Sequence, residues 1–186
     1  ALRAPKASHP VIAARRPTFC AGCPHNTSTK VPAGSFAFTG IGCHGMALLD
    51  PQRRPLPMGH MGAEGANWIG LARFTGTKHV FQNLGDGTYV HSGSLAIRAA
   101  RAAGVNITYK ILCNDAVAMT GGQPVEGEIT VTDIARQVLA EGVRTVIVVS
   151  QDPSRFTGAD VLPREIELRH RDELDQVQQR LREVKG

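Results

Sequence analysis

An apolar run, HVFQNLG (79–85), stops at Gly85-Asp86-Gly87; a helical pattern, SGSLAIRAARAAG (92–104), follows, and a second apolar run, NITYKILC (106–113), ends on Asn114. That order constrains the fold more than any other feature of the chain. A chain returning from one strand through a helix re-enters the sheet in the same direction, so the two strands pair in parallel. The pattern then repeats. TDIARQVLAEG (132–142), with Thr132 or Asp133 as its expected cap, leads into the strand of RTVIVVS (144–150). The expected class is α/β, a parallel sheet flanked by helices. Further helices are expected from Glu64 to Phe74 and over 171–184, where Leu174, Val177, Leu181 and Val184 form a stripe that reads as core packing. Residues 1–16, rich in Pro and Ala, read as a linker or arm, residues 17–186 as one domain, and 18–58 as a turn-rich stretch.

Composition narrows the function. The net charge of +5 would suit a polyanion, but aromatics are 5% and the arginines are scattered, so no stacking platform for nucleic acid is present. The longest strongly apolar run, VRTVIVVS (143–150), is far too short to span a bilayer, and no apolar signal core opens the chain. A soluble, cytoplasmic protein without membrane or nucleic-acid partners is expected. The chain begins with Ala and stops after a helical stretch, and reads as a piece of a longer polypeptide.

The chemistry collects at strand ends. In an open parallel sheet, side chains at the carboxyl ends of neighbouring strands converge on one crevice, so Asp86 and Asn114 are expected to meet. A carboxylate, an amide oxygen and a main-chain carbonyl beyond Asn114 are hard ligands that suit Mg²⁺ shared with phosphate oxygens. Gly85 and Gly87 would let the backbone approach that phosphate. The plainer alternative makes Gly85-Asp86-Gly87 a turn and Asn114 a strand-end cap. A second constellation is Cys20, Cys23 and Cys43, with His25 and His44 beside them. Spacing alone leaves a zinc site, an iron–sulfur cluster and simple buried thiols open.

Read in order, FCAGCPHNTSTK, GIGCHG, HMGAEGANWIG, LGDGTYVHSGSLAIRAA and ITYKILCNDAVAMTGGQP resemble the thiamine-diphosphate-binding region of the 2-oxoacid:ferredoxin oxidoreductases. Within that family the resemblance is strongest to the long, fused form of the indolepyruvate ferredoxin oxidoreductases, and it covers roughly residues 17–184. The resemblance implies that Asp86, Asn114 and the carbonyl of Ala116 hold Mg²⁺ under the diphosphate, and that Cys20, Cys23 and Cys43 ligate a [4Fe-4S] cluster. It places Cys43, His44, His60, Gly85, Gly87, Thr88, Thr120 and Gly121 around the thiamine diphosphate, with His44 and His60 as the candidate catalytic groups. Cys113 stands where many members carry a first Asn; it is expected to be a packed thiol, leaving the fourth cluster ligand to a cysteine beyond this chain. The activity implied is oxidative decarboxylation of an arylpyruvate such as indolepyruvate, with electrons leaving singly through the cluster to ferredoxin and coenzyme A collecting the acyl group. The thiamine-activating Glu is expected from a partner domain or subunit, Glu64 does not match that motif, and the working enzyme is expected to be an oligomer. A non-oxidative thiamine-diphosphate decarboxylase or carboligase, or a zinc-binding interaction module, are the alternatives.

Overall fold

The computed structural model describes residues 17–114 and 116–185; the arm expected over 1–16 lies outside the described residues. Four parallel strands form one sheet in the order β2-β1-β3-β4, made of β1 (Ala37–Thr39), β2 (Pro55–Met58), β3 (Val80–Gly85) and β4 (Ile107–Leu112). A second parallel pair joins β5 (Ile147–Ser150) to β6 (Glu167–His170). The α/β class with a parallel sheet flanked by helices is therefore the observed architecture.

β3 is the central strand. Val80, Phe81, Gln82, Asn83 and Leu84 are all buried, as expected where helices cover both faces of a parallel sheet. On one face, Leu84 meets Tyr89, Ile97, Ile134 and Val138, with Tyr109 and Ile111 of β4 packed against them. Toward the other side of the sheet order, Phe38 of β1 and Val80 pack on Trp68, whose indole N–H donates to the carbonyl of Asn106 at 3.0 Å.

The connection after β3 is one helical run over 86–103: α3 (Asp86–Thr88), a π turn (Tyr89–Gly93) and α4 (Ser94–Ala103), stopped by Gly104 in the left-handed conformation. It starts six residues earlier than the sequence pattern suggests, directly on Asp86. The helix expected from Glu64 shortens to α2 (Ala66–Leu71) with a 3₁₀ turn to Phe74. α5 (Val131–Ala140) is capped by neither Thr132 nor Asp133 in the expected way. Thr130 is its cap, accepting from the Asp133 N–H at 3.1 Å while the Asp133 carboxylate takes the Thr130 N–H, a reciprocal capping box. Thr132 lies inside the helix and donates to the Asp160 carbonyl. α6 (Leu174–Arg182) follows β6, and its stripe divides: Val177 is buried and Val184 is exposed.

The stretch 18–58 contains more order than its glycines and prolines suggest. α1 (His25–Ser28) stands before β1, a 3₁₀ turn (Cys43–Leu49) follows it, and β1 and β2 fill one side of the sheet. No helix among the described residues is long and apolar enough to cross a membrane.

Candidate functional site

Because all four strands of the larger sheet are parallel, their carboxyl ends share one edge. Gly40-Ile41-Gly42 leaves β1, Gly59-His60 leaves β2, Asp86 begins the helical run after β3, and Asn114 lies just beyond β4. β3 and β4 pair in register up to Gly85 opposite Leu112, so the residues next in line are neighbours. One Asp86 carboxylate oxygen accepts the Asn114 backbone N–H at 3.0 Å and the other accepts the Gly87 N–H at 2.8 Å. Asp86 and Asn114 are neighbours through the Asn114 backbone N–H. Two backbone donors hold this buried carboxylate at a fixed point on the edge.

His44 fills the space between the loops after β1 and β3. Its ring is 3% exposed, and its Nε2 has no hydrogen-bond partner. Three glycines make room for it. A Cβ on Gly40 would lie 3.0 Å from His44 Nε2 and 2.5 Å from the Asn83 carbonyl, and one on Gly42, whose φ is +148°, would lie 2.7 Å from His44 Cε1. A Cβ on Gly85 would only touch the ring, at 3.4 Å. Burial, reinforced by the neighbouring His25, lowers the His44 pKa to about 4, so the ring is neutral near pH 7. The His25 pKa is also lowered by burial, opposed by the charge of Asp86.

Sequence reasoning missed Glu64 as a member of this site. Its side chain is 2% exposed, and its two oxygens accept the backbone N–H groups of Ile41 at 3.4 Å and Gly62 at 2.7 Å. The carboxylate ties the loop that carries His44 to the loop that carries His60. A Glu within a Gly-rich stretch was the available signal, but only the fold shows that two loops converge on it.

Thr88 is buried, and its hydroxyl donates to the Ile41 carbonyl at 3.2 Å. His60 is exposed on the loop after β2. The TGGQP stretch closes on itself as a small hairpin turn: the Val117 N–H donates to the Gln123 carbonyl at 2.8 Å, and Gln123 Nε2 to Thr120 Oγ1 at 2.6 Å. Its base still reaches the site, since a Cβ on Gly87 would meet Val117 at 3.3 Å. Gly121 and Gly122 sit at the turn, and Ala116 lies in the bend between Asn114 and this hairpin. A cavity of about 310 Å³ opens beside Asp86 and Cys113, bordered also by Arg155, Phe156 and Asp160.

None of the four cysteines forms a disulfide. Cys20 and Cys23 lie on the turn into α1, joined by a 3.1 Å bond from the Cys23 N–H to the Cys20 carbonyl, and Cys43 opens the 3₁₀ turn that α1 touches. Among the described residues, however, no three His, Cys, Asp or Glu side chains are gathered into a group that could hold a metal ion.

A parallel α/β sheet with an anchored carboxylate, a neighbouring Asn and a helix start on one edge defines a phosphate-cofactor-binding domain of the open-sheet class. Residues 40–155 match the thiamine pyrophosphate enzyme, C-terminal TPP binding domain family, and the chain belongs to that family. Among curated proteins it is similar to the indolepyruvate oxidoreductase subunit IorA of Methanothermobacter thermautotrophicus, 28% identical over 159 residues that cover 74% of this chain and 26% of that protein. The same subunit of Methanothermobacter marburgensis gives the same identity and coverage, and that of Thermococcus kodakarensis is 27% identical over 164 residues, 73% of this chain and 25% of its own. The chain spans about a quarter of the length of these relatives. No solved structure matches it.

Proposed function

We propose that this chain is the thiamine-diphosphate- and Mg²⁺-binding part of a 2-oxoacid:ferredoxin oxidoreductase acting on an arylpyruvate, indolepyruvate in the first instance. The observation that carries the reading is the Asp86 carboxylate fixed against Asn114 at the carboxyl edge of the sheet. The residues fit the cofactor. Asp86 and the Asn114 amide oxygen are hard donors for Mg²⁺, with the Ala116 carbonyl as the third. The start of the helical run at Asp86 faces the same edge, and the buried, unpartnered His44 Nε2 adds a polar atom that a ligand would satisfy. When bound, thiamine diphosphate supplies the ring that stabilises a carbanion during decarboxylation.

The protein's own contribution is to hold and to exclude. Asp86 and Asn114 fix the position of the charged end, Gly85, Gly87, Thr88, Thr120 and Gly121 border it, and neutral His44 can accept or hold a proton at Nε2. His60 and Cys43 stand on the neighbouring loops. The same reading assigns Cys20, Cys23 and Cys43 to a [4Fe-4S] cluster, supported by three undisulfided thiols on two elements in contact. The donor chemistry fits a cluster and the observed spacing does not gather it, so no electron step is derived through it. Ferredoxin, coenzyme A and a partner domain bearing the activating Glu complete the proposal, with a cytoplasmic, oligomeric enzyme as its setting.

Titration calorimetry with thiamine diphosphate and Mg²⁺ tests the reading. Binding should require Mg²⁺ and weaken about a hundredfold or more in Asp86→Asn, in line with the loss of a charged metal ligand, while circular dichroism confirms that the variant is folded. Equal binding by the folded variant would refute the assignment.

A further inference from the structure

Among the described residues two carboxyl groups are buried, Asp86 and Glu64, and the proposed chemistry gives Glu64 no part. Its surroundings form a closed ring of contacts. The Glu64 oxygens accept the Ile41 N–H at 3.4 Å and the Gly62 N–H at 2.7 Å, so one side chain joins the loop after β1 to the loop after β2. Each loop then leans on the helical run that starts at Asp86. The Ile41 carbonyl accepts the Thr88 hydroxyl at 3.2 Å, and a Cβ on Gly62 would lie 2.2 Å from Ser92 Oγ, which puts that backbone against the run. Thr88 and Ser92 are four residues apart, on one side of it.

Glu64 is itself held from behind. Tyr109 of β4 donates its hydroxyl to the Glu64 carbonyl at 2.9 Å, and the Ala96 carbonyl of α4 lies 3.2 Å from the same hydroxyl. Gly65, at φ +82°, lets the ring come so near, because a Cβ there would lie 2.4 Å from the Tyr109 hydroxyl oxygen. In front, Glu64 bounds the seat of His44: a Cβ on Gly40 would lie 3.0 Å from both Glu64 Cγ and His44 Nε2.

We propose that Glu64 is a positioning residue of the cofactor site. It sets the separation of the loops after β1 and β2, and so holds the His44 ring over Gly85, at the start of the helical run where the charged end of the cofactor is assigned. The role rests on the cofactor reading given above. Both Glu64 oxygens are spent on backbone donors and the side chain is 2% exposed, so it acts on the site through the loops and touches no reacting atom. A site held by such a supporting contact is ready-made when its ligand arrives. The loss of Glu64 therefore weakens the hold on the cofactor and leaves the chemistry of the loaded enzyme in place.

Glu64→Ala and Glu64→Gln in the whole enzyme test this. Amide hydrogen exchange over residues 40–45 and 60–65 is read without cofactor; the half-saturating concentration of thiamine diphosphate and kcat are read at saturating Mg²⁺. In Glu64→Ala both segments should exchange about tenfold faster and half-saturation should rise about tenfold, the size expected when buried donors lose their acceptor, while kcat at saturating cofactor stays within about twofold. Glu64→Gln keeps one acceptor oxygen and turns an amide N–H₂ on the other donor, so it should loosen one segment and raise half-saturation by less. Glu64→Gln, the milder change, decides where circular dichroism shows Glu64→Ala unfolded. Unchanged exchange in a folded variant, faster exchange at unaltered half-saturation, or a kcat that collapses at saturating cofactor would each overturn the proposal. Absent binding by the wild-type enzyme, with exchange loosened in the variants as expected, would overturn the cofactor reading and this role with it, and would leave the strap between the loops standing.

Discussion

Two buried imidazoles set the acid sensitivity of this domain. His44 and His79 are both pushed down to about 4, His44 by burial and by His25, His79 by burial and by Arg182 against the opposing charge of Glu183. Unfolded, each would take up a proton near its ordinary value of 6.5; folded, each resists until about 4. Their contribution to stability is therefore complete above about pH 6.5 and is lost as the pH falls from there toward 4, at about 1.4 kcal/mol per pH unit for each group. Urea unfolding at about pH 7.5, 5.5 and 4.5 should show this decline, and His79→Phe should make it shallower; a flat profile would contradict the assignment. Gly40 gives a second test at this scale. Its Cβ would overlap the Asn83 carbonyl and press on Glu64 and His44 at once, and backbone does not move aside as a side chain does. Gly40→Ala should cost roughly 2–3 kcal/mol, read from the urea midpoint at an unchanged slope.

At the scale of elements, β3 and the helical run after it act as one part. Leu84, fully buried, belongs to one core cluster with Tyr89 and Ile97 on that run and Ile134 and Val138 on α5, and a Cβ on Gly93 would lie 2.8 Å from a Leu84 methyl carbon. The π turn between Tyr89 and Gly93 sits over this contact. Leu84→Ala should therefore destabilise by about 3 kcal/mol, as cavities in rigid surroundings do, and should loosen the start of the run at Asp86. Thermal unfolding checks the first effect and thiamine diphosphate affinity the second; a variant of wild-type affinity would show that the site is held without this contact. The elements also show why parts of the sequence were readable. The strand of 79–85, the helix after it and the strand of 106–113 carry strong local signals, an apolar run with a Gly-Asp-Gly break and helical spacing, and each lies where expected to within a few residues, apart from the early helix start. β1, β2 and β6 carried no such signal. β1 has three residues, β2 two prolines and β6 alternating charges, and they are strands because parallel neighbours pair with them.

For the whole molecule, the proposed activity divides its labour between this chain and a partner polypeptide. If the activating Glu comes from a partner, the 186-residue chain should bind thiamine diphosphate yet show no arylpyruvate-dependent reduction of ferredoxin or of a dye acceptor, and activity should return with the partner polypeptide. Turnover by the chain alone would refute that division of labour. The sequence by itself determined the α/β class, the parallel direction of β3 and β4, and the adjacency of Asp86 to the Asn114 backbone, because each follows from short-range pattern and from the geometry of adjacent parallel strands. Only the tertiary structure decided that Glu64 joins two loops, that His44 is sealed among glycines and uncharged, and that Cys20, Cys23 and Cys43 stand ungathered. These depend on which distant segments come within a few ångströms, and that is settled by the packing of the whole chain rather than by the spacing of any part of it.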